Sequence, residues 1–194
     1  MDDDARIEAQ LLARAVDGDG RAAAALVDRL GPRLMAFTLR LTAGDRAAAE
    51  DIVQESFLRL WRKAGTWDSD GPARISTWLG RVASNLAVDR SRRLSREAPM
   101  DDDAGEAVVD ETAPGALAGI IAAEDRASLR AALDALPARQ RQAVVLRHLG
   151  GHSNPDIAAR MECGVEAVES LTARGRRALA ALLRPRRTEP EDSR

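Results

Sequence analysis

The chain has 194 residues, of which 45% are hydrophobic and 3% aromatic, so it can build one large domain or two small ones, and its Ala-, Leu- and Arg-rich composition favours helix over strand. Its one cysteine, Cys163, excludes an internal disulfide and fits a reducing compartment. No apolar run nears the roughly 20 residues that span a bilayer. The start MDDDARIEAQ does not read as a signal peptide, so a cytoplasmic protein without membrane insertion is expected. The net charge of −2 hides two basic blocks: residues 71–96 carry six arginines against Asp89 alone, and residues 126–187 carry twelve against five acids. Between them, residues 97–125 hold nine acids and no base. Local basic blocks of this kind, not total charge, make a footprint for phosphates.

From Asp4 to Val16 the spacing predicts a short amphipathic helix with Ile7, Leu11, Leu12 and Ala15 buried. Asp17-Gly18-Asp19-Gly20 reads as a turn, since the later ligands of a calcium loop are missing. Arg21–Leu41 is helical again, with a bend or break expected at Gly31-Pro32.

The stretch Asp45–Ala64 carries the clearest pattern. Asp45 after Gly44 is a natural N-cap, and Ala49, Ile52, Val53, Ser56, Phe57, Leu60, Trp61 and Ala64 form one helix face. The opposite stripe of Asp51, Gln54, Glu55, Leu58 and Arg62 sets a leucine among charges, which suits either a docking surface or a plain solvated face.

After a breaker-rich loop over residues 65–73, Ile75–Arg93 is expected to be a helix with Ile75, Trp78, Leu79, Val82, Ala83 and Leu86 inward. Its other face presents Arg81, Ser84, Asn85, Val88 and Arg92, with Arg90, Arg93 and Arg96 close behind. Arginines beside an asparagine can bind phosphates and hydrogen-bond base edges; a solvated basic face is the plainer alternative. Ser95–Glu124 loses all periodicity and reads as a flexible acidic linker.

Helical pattern returns at Asp125 with Leu129, Leu133 and Leu136. Ala138–Leu149 follows, with Val144, Val145 and Leu149 inward, and Gly150-Gly151 ends it. Ser153-Asn154-Pro155-Asp156 is a capping box opening a short helix to Met161. The turn Glu162-Cys163-Gly164 and a helix over Val165–Leu183 complete a helix-turn-helix. On that last helix Val168, Leu171, Gly175, Leu179 and Leu182 are expected inside, and Glu166, Glu169, Ser170, Ala173, Arg174 and Arg177 outside. In a major groove, Glu can accept from cytosine, Ser can bond either way, Ala can touch a thymine methyl and Arg suits guanine. Arg176, Arg184, Arg186 and Arg187 are better placed for phosphates.

These pieces together resemble the extracytoplasmic-function group of bacterial RNA polymerase sigma factors. AEDIVQESFLRLW (Ala49–Trp61) is similar to that family's core-polymerase-binding helix, and STWLGRVASNLAVDRSRR (Ser76–Arg93) to its promoter-melting, minus-ten-reading segment. LPARQRQAVVLRHLGGHSNPDIAARMECGVEAVESLTARGRRAL (Leu136–Leu179) is similar to its minus-thirty-five-reading domain. The resemblance implies an all-α protein of two small helical domains, residues 1–96 and 125–187, the second a four-helix unit. An acidic linker over 97–124 joins them and a disordered tail follows from 188. It further implies that Asp51, Gln54, Glu55 and Leu58, with Arg62, dock on the clamp helices of polymerase. Arg81 and Asn85, beside Ser84, Arg92 and Arg93, would hold a base flipped from the non-template strand. The linker would thread toward the RNA exit path and mimic nucleic acid. An anti-sigma factor is an expected partner beside the polymerase core and promoter DNA.

Where most relatives open the final helix with Gly-Thr and flank the serine with bases, Glu166-Ala167 opens it here and Glu169 and Leu171 flank Ser170. Alternatives are therefore a sigma-like decoy that sequesters an anti-sigma factor, or a stand-alone helix-turn-helix regulator. No phosphate loop, catalytic carboxylate pair or nucleophile elbow is evident, so no enzyme and no cofactor are expected. His148, His152 and Cys163 could be considered for zinc, but Gly150-Gly151 interrupts the helix between the histidines and no metal is expected.

Overall fold

The computed structural model describes residues 3–68, 74–97 and 123–183. Eight helices and no strand occur among them: α1 (Asp3–Val16), α2 (Gly20–Leu41), α3 (Arg46–Ala64), α4 (Ile75–Glu97), α5 (Ala123–Asp134), α6 (Ala138–His148), α7 (Asn154–Met161) and α8 (Val165–Leu182). Most of the linker expectation, over residues 98–122, and the tail from 184 with Arg184, Arg186 and Arg187 lie outside the described residues.

Local chemistry starts the helices. The Asp19 carboxylate accepts from the Arg21 and Ala22 amides at 2.9 and 3.1 Å, capping α2, and also holds Arg14 at 2.6 Å. Asp45 accepts from the Ala48 amide at 3.0 Å and so caps α3. Its second oxygen lies 3.4 Å from Arg90, tying the start of α3 to α4. Helix α4 is capped from a distance: Glu8 of α1, buried, accepts from the Ser76 amide at 3.4 Å. Burying Glu8 turns its neighbour Ile7 outward, 41% exposed, against the expectation for α1. Helix α2 runs through Pro32 without a break. The proline is exposed, so its ring and missing donor fall on the solvent side.

Helices α1–α4 pack around Leu12, Leu26, Leu34, Leu60, Leu79 and Ala83. Trp67 and Trp78 meet edge to face at 6.0 Å near the ends of the α3–α4 connection. Buried hydroxyls on this side are satisfied within their own helices: Thr38 donates to the Leu34 carbonyl at 2.8 Å and Ser56 to that of Ile52 at 2.7 Å.

Helices α5–α8 enclose Leu133, Leu136, Val144, Val145, Leu146, Ile157, Val168 and Leu179. The buried Arg141 donates to the Leu136 carbonyl at 3.0 Å, closing the α5–α6 corner. Two leucines expected inside are outside: Leu149 is 50% exposed and Leu182 53%. Leu149 already caps α6, where Gly150 bonds back to Val145, so it has left the helical period; Leu182 is the last residue of α8. The two groups of helices also touch: α6 packs on α2 and α4, α5 on α2, and α7 on α4, giving one connected apolar cluster.

Helix α8 crosses α6 at Gly175, where an added Cβ would lie 2.6 Å from Val144 Cγ2 and 3.3 Å from the Gln140 carbonyl. Val144 is buried and branched, so it cannot swing away. Gly175→Ala gains helix propensity of about 1 kcal/mol, but the overpacking costs about 1–3 kcal/mol. The expected result is a thermal midpoint lower by about 2–4 °C for each net kcal/mol lost. An unchanged or raised midpoint would contradict the tight α6–α8 crossing.

Candidate functional site

Three helix faces carry the candidate residues, and each is built differently. On α3 the inner face of Ala49, Ile52, Ser56, Phe57 and Leu60 is buried, which fixes the opposite stripe toward solvent. Asp51, Gln54 and Arg62 are exposed, and Leu58 among them is 48% exposed. Glu55 is the anchored member: Arg59 Nε donates to it at 2.8 Å and Arg62 lies at 3.6 Å. The Arg59 bond holds the Glu55 carboxyl below the usual carboxylate range against a smaller opposing effect of desolvation. The stripe is thus a fixed apolar knob rimmed by anions and an oriented arginine.

On α4 the face expected to point outward is only partly outward. Arg81, Asn85 and Arg93 are exposed and Arg92 is half-buried, but Ser84 and Val88 are buried. Periodicity within α4 alone could not reveal this, because what covers them comes from residues some 70 positions later. Ser84 Oγ donates to the Gly80 carbonyl at 2.7 Å and lies 3.3 Å from His152 Nε2. Asn85 Oδ1 accepts from Arg160 Nη1, and Arg92 pairs with Glu162. A shallow polar cleft lined by Asn85, Arg92, Ala159, Arg160 and Glu162 separates the two sides.

The helix-turn-helix is set by backbone signals in the sequence. Ser153 and Asp156 form the reciprocal capping box at the start of α7, and Glu162 turns the chain with φ +48°, the left-handed region. On α8, Glu166, Glu169, Ala173 and Arg177 are exposed, while Ser170, Arg174 and Arg176 are half-buried and Val168, Leu171, Gly175 and Leu179 are buried. Glu169 is not a free anion, for it accepts from Asn154 Nδ2 at 3.2 Å and braces α8 on α7. At the end of α6, burial and then the nearby Arg176 and Arg147 hold His148 below the ordinary imidazole value.

The contacts of His152, Arg160 and Glu162 to α4 are what sequence reading missed, having weighed His152 only for zinc and Glu162 only as a turn residue. His152 is buried, and burial, Arg160 and Arg81 together depress its pKa, so near neutral pH the ring is uncharged. Arg147 fixes the adjoining backbone by donating to the His152 carbonyl at 3.1 Å. Among the described residues no group of three or more His, Cys, Asp or Glu side chains is placed to hold a metal ion. No described helix is long and apolar enough to cross a membrane. What the arrangement offers is an apolar knob on α3, a cationic face on α4 and a face of mixed charge on α8.

Comparison with known proteins gives this geometry a family. Residues 26–97 match the family model for Sigma-70 region 2, and residues 126–179 that for Sigma-70, region 4. The chain is 33% identical over 184 residues to the RNA polymerase sigma-H factor of Pseudomonas aeruginosa, covering 91% of this chain and 93% of that protein. It is 35% identical over 180 residues to the ECF RNA polymerase sigma factor SigM of Mycobacterium tuberculosis, covering 92% and 85%. Among solved structures it resembles the sigma factor RpoE in complex with the anti-sigma factor NepR from Bartonella quintana. There the TM-score is 0.52 at 27% identity, over 83% of this chain and 96% of that one. It also resembles CnrH in complex with the cytosolic domain of CnrY, with TM-score 0.50 at 27% identity over 91% and 97%. The chain belongs to the extracytoplasmic-function group of RNA polymerase sigma factors.

Proposed function

We propose that this sigma factor grips the polymerase core through the α3 stripe and reads promoter DNA through α4 and α8, acting in the cytoplasm. The half-exposed Leu58 between Asp51 and Gln54, on a helix whose other face is fully packed, is the observation that carries this reading. An apolar side chain ringed by polar groups on a rigid helix supplies the desolvated centre of an interface, and the flanking charges set its register. Glu55, Arg59 and Arg62 hold one another, so little side-chain freedom remains to be lost on docking.

On the DNA side the chemistry is binding energy alone. Arg93 and Arg96 lie exposed at the C-terminal end of α4, where phosphates would be neutralised. Arg81 and Asn85, one turn apart, offer donors to the edge of an unstacked base, and Ser84 and Arg92 flank them. Extruding a base costs a few kcal/mol, which these contacts must offset. On α8, Glu166, Ser170, Ala173 and Arg174 face the bases and Arg176 and Arg177 the backbone. Glu166 and Glu169 reduce sequence-independent attraction, so specificity at the minus-thirty-five element rests more on base contacts. The solved relatives bound to NepR and to CnrY support an anti-sigma factor as a further partner of this chain.

Leu58→Ala is expected to weaken association with purified polymerase core about tenfold, roughly 1.4 kcal/mol, while the thermal midpoint stays put because the site is exposed. Equal affinity of wild type and a combined Asp51→Ala, Gln54→Ala, Leu58→Ala variant would overturn the docking assignment. For the holoenzyme on promoter DNA, Arg177→Ala is expected to lower the slope of log affinity against log salt by about one. An unchanged slope would remove Arg177 from the phosphate contacts.

A further inference from the structure

The two helices of the helix-turn-helix meet at one polar point near their starts. Asn154 Nδ2 donates to Glu169 Oε1 at 3.2 Å. A carboxylate only accepts, so the amide nitrogen of Asn154, and not its oxygen, has to face it. Both ends of this bond are held in place. The capping box of Ser153 and Asp156 fixes the backbone around Asn154, the first residue of α7. Burial of Val168 and Leu171 fixes the rotation of α8, which turns Glu169 outward on the same exposed face as Glu166 and Ala173. One oxygen of Glu169 is thus engaged within the protein, and the other stays available as an acceptor.

We propose that Asn154 is a positioning residue for specificity: it holds the Glu169 carboxylate where it selects a C·G pair of the minus-thirty-five element, read at the cytosine. The proposal rests on the assignment of the exposed α8 face to that element. In the major groove the amino groups of cytosine and adenine are the donors on base edges, while guanine and thymine present acceptors. A carboxylate therefore gains a hydrogen bond at cytosine and meets repulsion from N7 and O6 of guanine. Adenine is the weaker choice, because its N7 acceptor lies beside the donating amino group. Rejection of the wrong bases needs the carboxylate to stay where it is. A free glutamate is long and rotatable, and beside phosphates it would swing out toward solvent rather than oppose a mismatched base. Tying Oε1 to α7 removes that freedom before DNA arrives, so the ordering cost does not fall on the binding step. The acidic residue then acts by exclusion as much as by attraction.

The test selects duplexes randomised across the minus-thirty-five element on holoenzyme assembled from the full chain and purified polymerase core. Base preference is scored position by position within each variant, so a uniform change in affinity cancels. Wild type is expected to favour cytosine over guanine about tenfold at one position. Glu169→Gln is expected to move that position toward adenine, since glutamine pairs with adenine N6 and N7. Asn154→Ala is expected to lower the cytosine preference about threefold there and at no other position. Asn154→Asp sets a second carboxylate against Glu169 yet suits the start of α7, so it keeps the fold and is expected to lower the preference further. A bond that only braced α7 on α8 would change affinity for all sequences alike and leave the profile as it was. A profile in Asn154→Ala identical to that of wild type, or no position that responds to Glu169→Gln, overturns the proposal while the assignment of α8 to DNA stands. A wild type with no base preference anywhere in the element overturns that assignment, and the proposal with it.

Discussion

Helix α4 is packed on two sides, and the rest of the molecule is arranged around that constraint. Leu79, Ala83 and Ala87 face the α1–α3 core, while Ser84 and Val88 lie under α6 and α7. A helix engaged on both sides can keep polar groups at its edges only where each finds a partner. Ser84 bonds to the turn below it and abuts His152; Asn85 and Arg92 find Arg160 and Glu162. One side of α4 is therefore apolar core, and the other meets α6 and α7 largely through polar contacts.

That division runs through the whole chain. The firm contacts are helix caps and close packing: Asp45 starts α3, Glu8 caps α4 from α1, and Gly175 lets α8 approach α6 at close range. The Arg92–Glu162 and Asn85–Arg160 contacts between α4 and α7 are polar, sit at the surface and cost little to break. The α3 stripe stands apart from both, since Asp51, Gln54 and Leu58 face solvent.

Much of this was legible in the sequence, because much of it is set within a turn or two of helix. The Asp45 cap, the Ser153–Asp156 capping box and the inner faces of α3 and α8 follow from side-chain chemistry and the 3.6-residue period. The errors lie where the helical period alone does not decide burial. Leu149 and Leu182 lie at the C-terminal ends of α6 and α8, where the period says nothing of whether a neighbour is there to cover them, and Ile7 is turned outward by the burial of Glu8. Pro32 was expected to bend or break α2, but on an exposed face the missing donor leaves the helix continuous. Burial of Ser84 and Val88, and the part played by His152, Arg160 and Glu162, depend on contacts some 70 residues apart in the chain. No single-helix pattern records such contacts.

The central claim is that α3 carries the polymerase-gripping surface while α4 and α8 carry the contacts to DNA. A photo-crosslinking residue placed at Gln54 tests it most directly, with the products mapped in the holoenzyme on promoter DNA. The account requires crosslinks to the polymerase core and none to DNA. Crosslinks to DNA, or none to the core, would contradict it.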